Sequence, residues 1–277
     1  AIIDPGDEVL VPTPAWVSYG TQIEIRGGKA VQVPGAAENG FVPTVADLEA
    51  ATTDRTKAIL INNPTNPTGA LWTKEQLTDL VDWIRSKEDL IVISDAIYDE
   101  LVYDGLTYTE ILTLAPDLRE RYVLINGISK AFAMTGWRLG YTLAPAPLIK
   151  GMQNLQSQST SNPTAVTQMA AVSALGLGDE VIAPMRAAFE KRRDLIYEGL
   201  TAIEGVELVK PRGAFYAFPD LSAFVDGERI ADDMALANYL LDEAKIAPVP
   251  GPAFGAPGFM RPRYAPREAL ITDGVPR

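Results

Sequence analysis

The sequence predicts an α/β fold, a three-layer αβα arrangement around a mostly parallel sheet, followed by a smaller C-terminal α+β domain. Short runs of Val, Ile and Leu alternate with amphipathic helical patterns over the first two thirds of the chain. This alternation is typical of βαβ units, whose helices cover both faces of a parallel sheet. Long helical patterns follow Pro145, so we place a boundary near residue 178, between a larger domain (1–178) and a smaller one (179–277).

Six short apolar segments are the candidate strands of the sheet. The first four consist mainly of Val, Ile and Leu and are bounded by Gly, Pro, Asn or Asp, which is the usual pattern of a buried strand. In chain order the candidates are Glu8–Val11, Ala30–Val33, Ala58–Ile61, Leu90–Ser94, Tyr122–Ile125 and Leu139–Leu143.

Helical spacing is clearest between Thr73 and Lys87, where apolar residues recur at i, i+3, i+4 and i+7 and form one helix face. These positions are Leu77, Leu80, Val81 and Ile84. Further helices are expected over Leu148–Gln158, Thr164–Leu175, Asp179–Ile203 and Ile230–Ala244. Short strands are expected over Val206–Val209 and Phe215–Phe218, and near Ile246 and Phe259.

The composition excludes several kinds of site. The chain has 277 residues and contains neither Cys nor His. A protein without these residues has no zinc finger, no His-based metal site, no Ser-His-Asp triad and no cysteine nucleophile, so we expect no metal. Acid–base chemistry must then be carried out by Lys, Asp, Glu or Tyr.

Charge and hydropathy restrict the partners. The net charge of −12 argues against a nucleic-acid partner, which requires a basic surface. No apolar run approaches the roughly 20 residues of a membrane helix, so we expect no membrane partner. The N-terminal residues also lack the pattern of a signal peptide.

A carboxylate follows the fourth candidate strand. Ligands of open parallel sheets bind at the carboxyl ends of the strands, and Asp95 with Tyr98 would lie there. The alternative is that Asp95 caps a following helix, a common position for Asp.

An Asn-rich turn follows the third candidate strand. The segment Asn62-Asn-Pro-Thr-Asn-Pro-Thr-Gly69 contains two Asn-Pro steps, which predict an irregular turn and allow cis peptide bonds. A functional turn would present the amide of Asn66 toward the same strand ends as Asp95. The alternative is a plain surface turn.

A lysine follows the fifth candidate strand, within the segment from Asn126 to Gly140. Lys130 and Arg138 are the two cations of this segment. A lone Lys on a loop is usually a solvated surface charge, but Lys130 stands between apolar residues at the end of a buried strand. A desolvated Lys has a lowered pKa and reacts with carbonyl groups.

Together these segments resemble the class I/II, fold-type I aminotransferases that use pyridoxal 5′-phosphate, and in particular the bacterial aspartate aminotransferases. The matching motifs occur in the family's order, from about residue 4 to about residue 265. They are Pro14-Ala-Trp16, Asn66-Pro-Thr-Gly69, Asp95-Ala-Ile-Tyr98, Ser129-Lys130 with Arg138, and Gly258-Phe-Met-Arg261.

The resemblance implies three roles around the ring of pyridoxal phosphate. Lys130 would hold the cofactor covalently and, once released, move the proton of the substrate. Asp95 would pair with the pyridine nitrogen and keep it protonated. Asn66 and Tyr98 would form hydrogen bonds with the phenolic oxygen.

It also implies roles at the edges of the cofactor and substrate. Trp16 would stack on the ring face, where the alternative is a core residue at a helix start. Arg138 would bind the cofactor phosphate, with help from the hydroxyl of Ser129. Arg261 would bind the α-carboxylate of the substrate, next to Trp16 and Asn66; the alternative is a surface ion pair.

The activity implied by the resemblance is transfer of an amino group between an aspartate-like or aromatic amino acid and a 2-oxo acid such as 2-oxoglutarate. A cytoplasmic homodimer with active sites at the subunit interface is expected. Two alternatives stay open: another reaction on the same scaffold, such as a β-lyase or decarboxylase, or an inactive, truncated member of the family.

Both ends of the chain differ from the family pattern. Family members carry a further N-terminal region, including a phosphate-binding loop, before the position equivalent to Ala1. After Arg261 the chain has Pro262 and Arg263, which makes Arg263 a rival for the substrate carboxylate. The residues after Ala265 do not show the family's closing amphipathic helix.

Overall fold

A six-stranded sheet forms the centre of the protein in the computed structural model, which describes residues 1–275. Its strands are β1 (Glu8–Thr13), β2 (Lys29–Pro34), β3 (Thr56–Asn62), β4 (Ile91–Asp95), β5 (Tyr122–Gly127) and β6 (Gly140–Leu143). Their order is β2-β1-β3-β4-β5-β6, in which β1 to β5 are parallel and β6 runs antiparallel to β5. All six predicted strands and the mostly parallel α/β class are confirmed.

Helices flank the sheet and make up most of the chain after β6. They are α1 (Ser18–Glu24), α2 (Val45–Ala51), α3 (Lys74–Arg85), α4 (Ile111–Leu114), α5 (Ala146–Ser157), α6 (Ala165–Leu175), α7 (Asp179–Thr201), α8 (Asp233–Asp242) and α9 (Glu268–Gly274). The helix predicted within residues 73–87 is α3, which begins after a capping box formed by Thr73 and Gln76. The helices predicted over 148–158, 164–175, 179–203 and 230–244 are also present, as α5, α6, α7 and α8.

Strands β1 and β3 are buried on both faces, because successive side chains point to opposite sides of the sheet and helices cover both sides. On one side Leu10 and Ile59 pack with Leu77 and other residues of α3. On the other side Val9 packs with Tyr19 of α1. Each fully buried aliphatic side chain contributes about 1.5–3 kcal/mol, so the two helical layers hold the sheet firmly.

Two predicted strands of the second half are wrong. Residues 206–209 and 215–218 form only single bridges, between Glu207 and Asp220 and between Tyr216 and Arg263. Proline lacks the N–H that a strand ladder needs, and Pro219 interrupts this part of the chain. A short antiparallel pair forms later, between β7 (Val249–Pro250) and β8 (Met260–Arg261).

A short helix follows Ala265, where the sequence does not show the family's closing amphipathic helix. Helix α9 lies there, with Ile271 buried in a cluster that includes residues of α7. An ion pair of 2.8 Å between Lys191 and Glu268 also joins these two helices. Packing against α7 therefore stabilises a helix of seven residues that is too short to be stable alone.

The sheet brings three strand ends together. Asn62 at the end of β3 is paired with Asp95 at the end of β4, and Asp95 is paired with Ile125 of β5. The segments that follow these strands therefore start at one edge of the sheet. None of the helices within residues 1–275 combines the length and the apolar character needed to cross a membrane.

Candidate active site

Asp95 ends β4 and is held by neutral donors. Its Oδ2 accepts a hydrogen bond of 2.6 Å from the hydroxyl of Tyr19, and its Oδ1 accepts one of 3.1 Å from the backbone N–H of Ile97. Burial raises the pKa of Asp95 above its usual value. Residues 97–100 form a turn, so the alternative that Asp95 caps a helix is wrong.

The Asn-rich turn is buried, and hydrogen bonds from its own side chains stabilise it. The Oδ1 of Asn62 accepts a hydrogen bond of 2.8 Å from the N–H of Asn66, while its Nδ2 donates to the backbone oxygen of Asp95 at 3.0 Å. Asn63 accepts from the N–H of Trp72 at 3.1 Å. The peptide bonds before Pro64 and Pro67 are cis. The hydrogen bonds of Asn62 therefore hold Asn66 beside the end of β4.

Lys130 is half-buried against aromatic rings. Its Nζ lies 5.8 Å from the ring centroid of Tyr98 and 5.4 Å from that of Phe215. Burial, and next the positive charges of Arg138 and Arg261, lower the pKa of Lys130. This environment differs from that of a solvated surface lysine and increases the fraction of unprotonated, nucleophilic amine.

Arg261 lies close enough to Lys130 to lower its pKa. The space between Lys130, Asp95 and Arg261 is the candidate crevice. The Nη1 of Arg261 donates a hydrogen bond of 2.8 Å to the Oδ1 of Asn66. The guanidinium lies 4.7 Å from the ring centroids of both Tyr216 and Phe254. Its Nε is buried and has no hydrogen-bond partner within residues 1–275. An unsatisfied donor of this kind is available to a carboxylate, whereas the side chain of Arg263 is exposed.

Three predicted site residues lie at the rim of the crevice. Trp16 is 37% exposed and contacts Tyr19 edge-on, with ring centroids 5.2 Å apart, so it is not a core residue. Ser129 is half-buried. Arg138 is exposed, adopts a left-handed backbone conformation with φ of 56°, and donates to the backbone oxygen of Thr135 at 3.1 Å.

Sequence reasoning missed two tyrosines of the crevice. Tyr19, three residues after Trp16, forms the hydrogen bond to Asp95. The hydroxyl of Tyr216 lies 3.0 Å from that of Tyr98. Both contacts join residues that are far apart in the sequence, by 76 and 118 positions, so no local pattern indicates them.

The residues of the crevice fit pyridoxal phosphate. The buried carboxylate of Asp95 has neutral donors in the described part of the chain, and a protonated pyridine nitrogen would supply the missing cationic partner. Lys130 supplies an amine of lowered pKa beside it. The free Nε of Arg261 supplies a donor for the substrate.

Comparison with known proteins identifies the family. Residues 1–272 match the family of class I and II aminotransferases. The chain is 46% identical to an aspartate aminotransferase of Geobacillus stearothermophilus, and the match covers 100% of this chain and 70% of that one.

Solved structures of aminotransferases are also similar to this chain. An aspartate aminotransferase from Rhizobium meliloti has a TM-score of 0.94 at 40% identity, covering 99% of this chain and 70% of that one. An aromatic aminotransferase from Pyrococcus horikoshii has a TM-score of 0.92 at 38% identity, covering 99% and 72%. The chain therefore belongs to the class I and II aminotransferases, enzymes that depend on pyridoxal 5′-phosphate and exchange amino groups between amino acids and 2-oxo acids.

Proposed function

We propose that this aminotransferase takes its amino group from an acidic amino acid of the aspartate type, and that Lys130 carries the cofactor. The observation that supports the proposal most is the convergence of Lys130, Asp95 and Arg261 on one crevice. A reactive amine, a buried carboxylate and a carboxylate-binding guanidinium are the three groups that the reaction needs.

Asp95 acts on the ring of the cofactor. When bound, pyridoxal phosphate supplies a ring that withdraws electrons from the substrate α-carbon. Asp95 holds the proton on the pyridine nitrogen, and Tyr19 keeps the carboxylate oriented through its 2.6 Å hydrogen bond. Asn66 and Tyr98 donate hydrogen bonds to the phenolic oxygen, which favours its anionic form.

Lys130 is both the attachment point and the proton carrier. The rings of Tyr98 and Phe215 restrict water around its Nζ, and burial lowers its pKa. With the cofactor bound, the free amine of Lys130 would serve as the base that takes the proton from the substrate α-carbon. General-base catalysis of this kind is most effective when the pKa of the base is near neutrality.

Arg138 and Ser129 hold the phosphate group, and Trp16 covers the ring face. The planar guanidinium of Arg138 suits a phosphate because it donates two parallel hydrogen bonds. The positive charge of Arg138 acts on Lys130 and lowers its pKa, which supports a position of Arg138 close to the cofactor.

Arg261 binds the α-carboxylate of the substrate through its free Nε edge, next to Asn66 and Trp16. The exposed Arg263 is not assigned this role. The two rings on either side of the guanidinium fix its plane and so favour bidentate pairing.

The choice of an acidic donor rests on the relatives. Two of the relatives described above are aspartate aminotransferases. An aromatic donor is the second candidate, favoured by the similar aromatic aminotransferase.

The proposal extends to the assembly. We expect a homodimer, and the support is a row of exposed apolar side chains on α6, namely Val166, Met169 and Val172.

We also propose that residues 1–178 form the cofactor-binding domain and residues 179–277 the smaller domain, since the strands of the large sheet all lie in the first range. The family supports a cytoplasmic location.

A spectrum of the purified chain with pyridoxal phosphate tests the function directly. We expect a visible band, and borohydride reduction followed by peptide mapping should place the cofactor on Lys130. Aspartate with 2-oxoglutarate should then yield oxaloacetate and glutamate faster than phenylalanine yields its oxo acid. Label scattered over surface lysines contradicts the assignment of Lys130, and pyruvate with ammonia as products indicates a lyase.

A further inference from the structure

Two buried phenol groups contact each other in the crevice. The hydroxyls of Tyr98 and Tyr216 lie 3.0 Å apart, although the two residues are separated by 118 positions in the sequence. Both side chains are buried. A buried hydroxyl without a partner costs about 1–3 kcal/mol, so this hydrogen bond holds the two segments together. The proposed function gives the hydroxyl of Tyr216 no role.

We infer that the Tyr216 hydroxyl donates to the oxygen of Tyr98 and thereby strengthens the hydrogen bond that Tyr98 gives to the phenolic oxygen of the cofactor. The inference rests on the role proposed above for Tyr98. Tyr216 acts through Tyr98 and is therefore a positioning residue.

The direction of donation follows from proton counting. A tyrosine hydroxyl has one proton to donate and two lone pairs to accept with. When Tyr98 gives its proton to an anionic oxygen, only its lone pairs face Tyr216, so Tyr216 must be the donor. Burial raises the pKa of Tyr98, which keeps that proton in place at neutral pH.

Arg261 makes Tyr216 a better donor. The guanidinium carbon lies 4.7 Å from the ring centroid of Tyr216. A positive charge over the ring face withdraws electron density from the phenol oxygen and polarises its O–H bond. Hydrogen bonds in a chain strengthen one another, so this polarisation reaches the cofactor through Tyr98.

The test is a pH titration of the visible band of the protein loaded with pyridoxal phosphate. Tyr98→Phe should raise the pKa of the bound chromophore most. Tyr216→Phe should raise it by about half a unit to one unit, which is roughly a 3- to 10-fold gain in proton affinity. The double variant should titrate like Tyr98→Phe alone, because Tyr216 acts only through Tyr98.

Two variants of Tyr216 distinguish the effect of its hydroxyl from the effect of its ring. Tyr216→Phe keeps a ring beside Arg261, so the Kd of the unreactive dicarboxylate maleate should change less than twofold. Tyr216→Leu removes the ring as well and should weaken maleate binding several-fold. Placing 3-fluorotyrosine at position 216 strengthens the donor without removing it and should lower the pKa of the chromophore.

The outcomes distinguish this inference from the proposed function. If Tyr98→Phe shifts the titration and Tyr216→Phe does not, the inference is wrong and the proposed function stands. An additive double variant also overturns the inference. If Tyr98→Phe leaves the titration unchanged, or the wild-type chain takes up no cofactor, the role proposed for Tyr98 is wrong and the inference with it.

Discussion

Side-chain burial differs between two regions of the molecule. One is the carboxyl edge of strands β3 to β5, and the other is the group of helices that follow β6. At the strand edge, polar residues such as Asn62 and Asn66 are buried and hydrogen-bonded. On α6, apolar residues such as Val166 and Met169 are 72% and 66% exposed.

The comparison shows where the site is preorganised. Asp95 accepts a hydrogen bond from Tyr19, and Arg261 donates one to Asn66, so protein side chains alone hold both groups in place. Arg138, which lies between the two regions along the chain, is exposed and has only a backbone oxygen as a hydrogen-bond partner within residues 1–275. Its position therefore depends on the bound phosphate more than those of Asp95 and Arg261 do.

Removal of the Lys130 amine should have the largest effect on activity. Lys130→Ala should abolish the covalent attachment of pyridoxal phosphate and lower kcat by about 10⁴-fold or more, since nucleophile and base are lost together. Absorbance and steady-state turnover measure both. Retained turnover would show that another residue carries the cofactor.

Asp95→Ala should have the second largest effect. The variant keeps Lys130 and so should still trap the cofactor, but kcat should fall by about 10²–10³-fold because the charge opposite the ring nitrogen is lost. Tyr19→Phe is the matched control: it retains the carboxylate, removes one donor to it, and should cost less than tenfold. Equal losses of kcat in the two variants would contradict the larger role given to the carboxylate of Asp95 than to the hydrogen bond from Tyr19.

Arg261 and Arg263 form a natural pair for the third prediction. Arg261→Lys should raise KM for aspartate by about 10–100-fold, since a hydrogen bond to a charged group contributes about 1.5–3 kcal/mol. Arg263→Lys should change KM less than twofold because the side chain is exposed. The opposite result would transfer the carboxylate-binding role to Arg263.

Asp99, in the turn that follows β4, should make the stability of the fold depend on pH. Burial raises the pKa of Asp99 to about 6, and its Oδ2 accepts a hydrogen bond of 2.6 Å from Asn126 on β5. Because the folded protein binds this proton more tightly than the unfolded chain, stability should fall as pH rises from about 4 to about 6.

Asp99→Asn should remove this contribution while keeping an acceptor for Asn126. Urea unfolding at pH 4, 5, 6 and 7 measures it as the difference between wild type and variant. Glu38→Gln changes an exposed acid far along the chain from Asp99 and serves as the control. A constant difference across this pH range would show that Asp99 titrates alike in the folded and unfolded states.

The smallest effect on the unfolding free energy is expected in the exposed region. Met169→Glu should change the stability of one subunit by less than about 0.5 kcal/mol, because the side chain packs little. Sedimentation should nevertheless show the dimer dissociating. Glu198→Lys, an exposed charge change on α7, should leave the dimer intact. A dimer that survives Met169→Glu excludes the α6 row from the interface.

The two regions also differ in how well the sequence predicts them. The strands are predicted to within a few residues because parallel strands are continuous apolar runs bounded by breakers, which is a local property. Tyr19 and Tyr216 were missed because their contacts cross 76 and 118 positions of the chain, and no local pattern encodes them. Helix α9 was missed because its stability comes from packing on α7.

The two ends of the Asn62 amide restrict how this enzyme can be redesigned. One end fixes the turn that presents Asn66 to Arg261, and the other end fixes the backbone of Asp95. A single side chain thus couples substrate anchoring to cofactor electronics, and no substitution there can tune one without disturbing the other. Variants designed to change the amino donor should therefore keep Asn62.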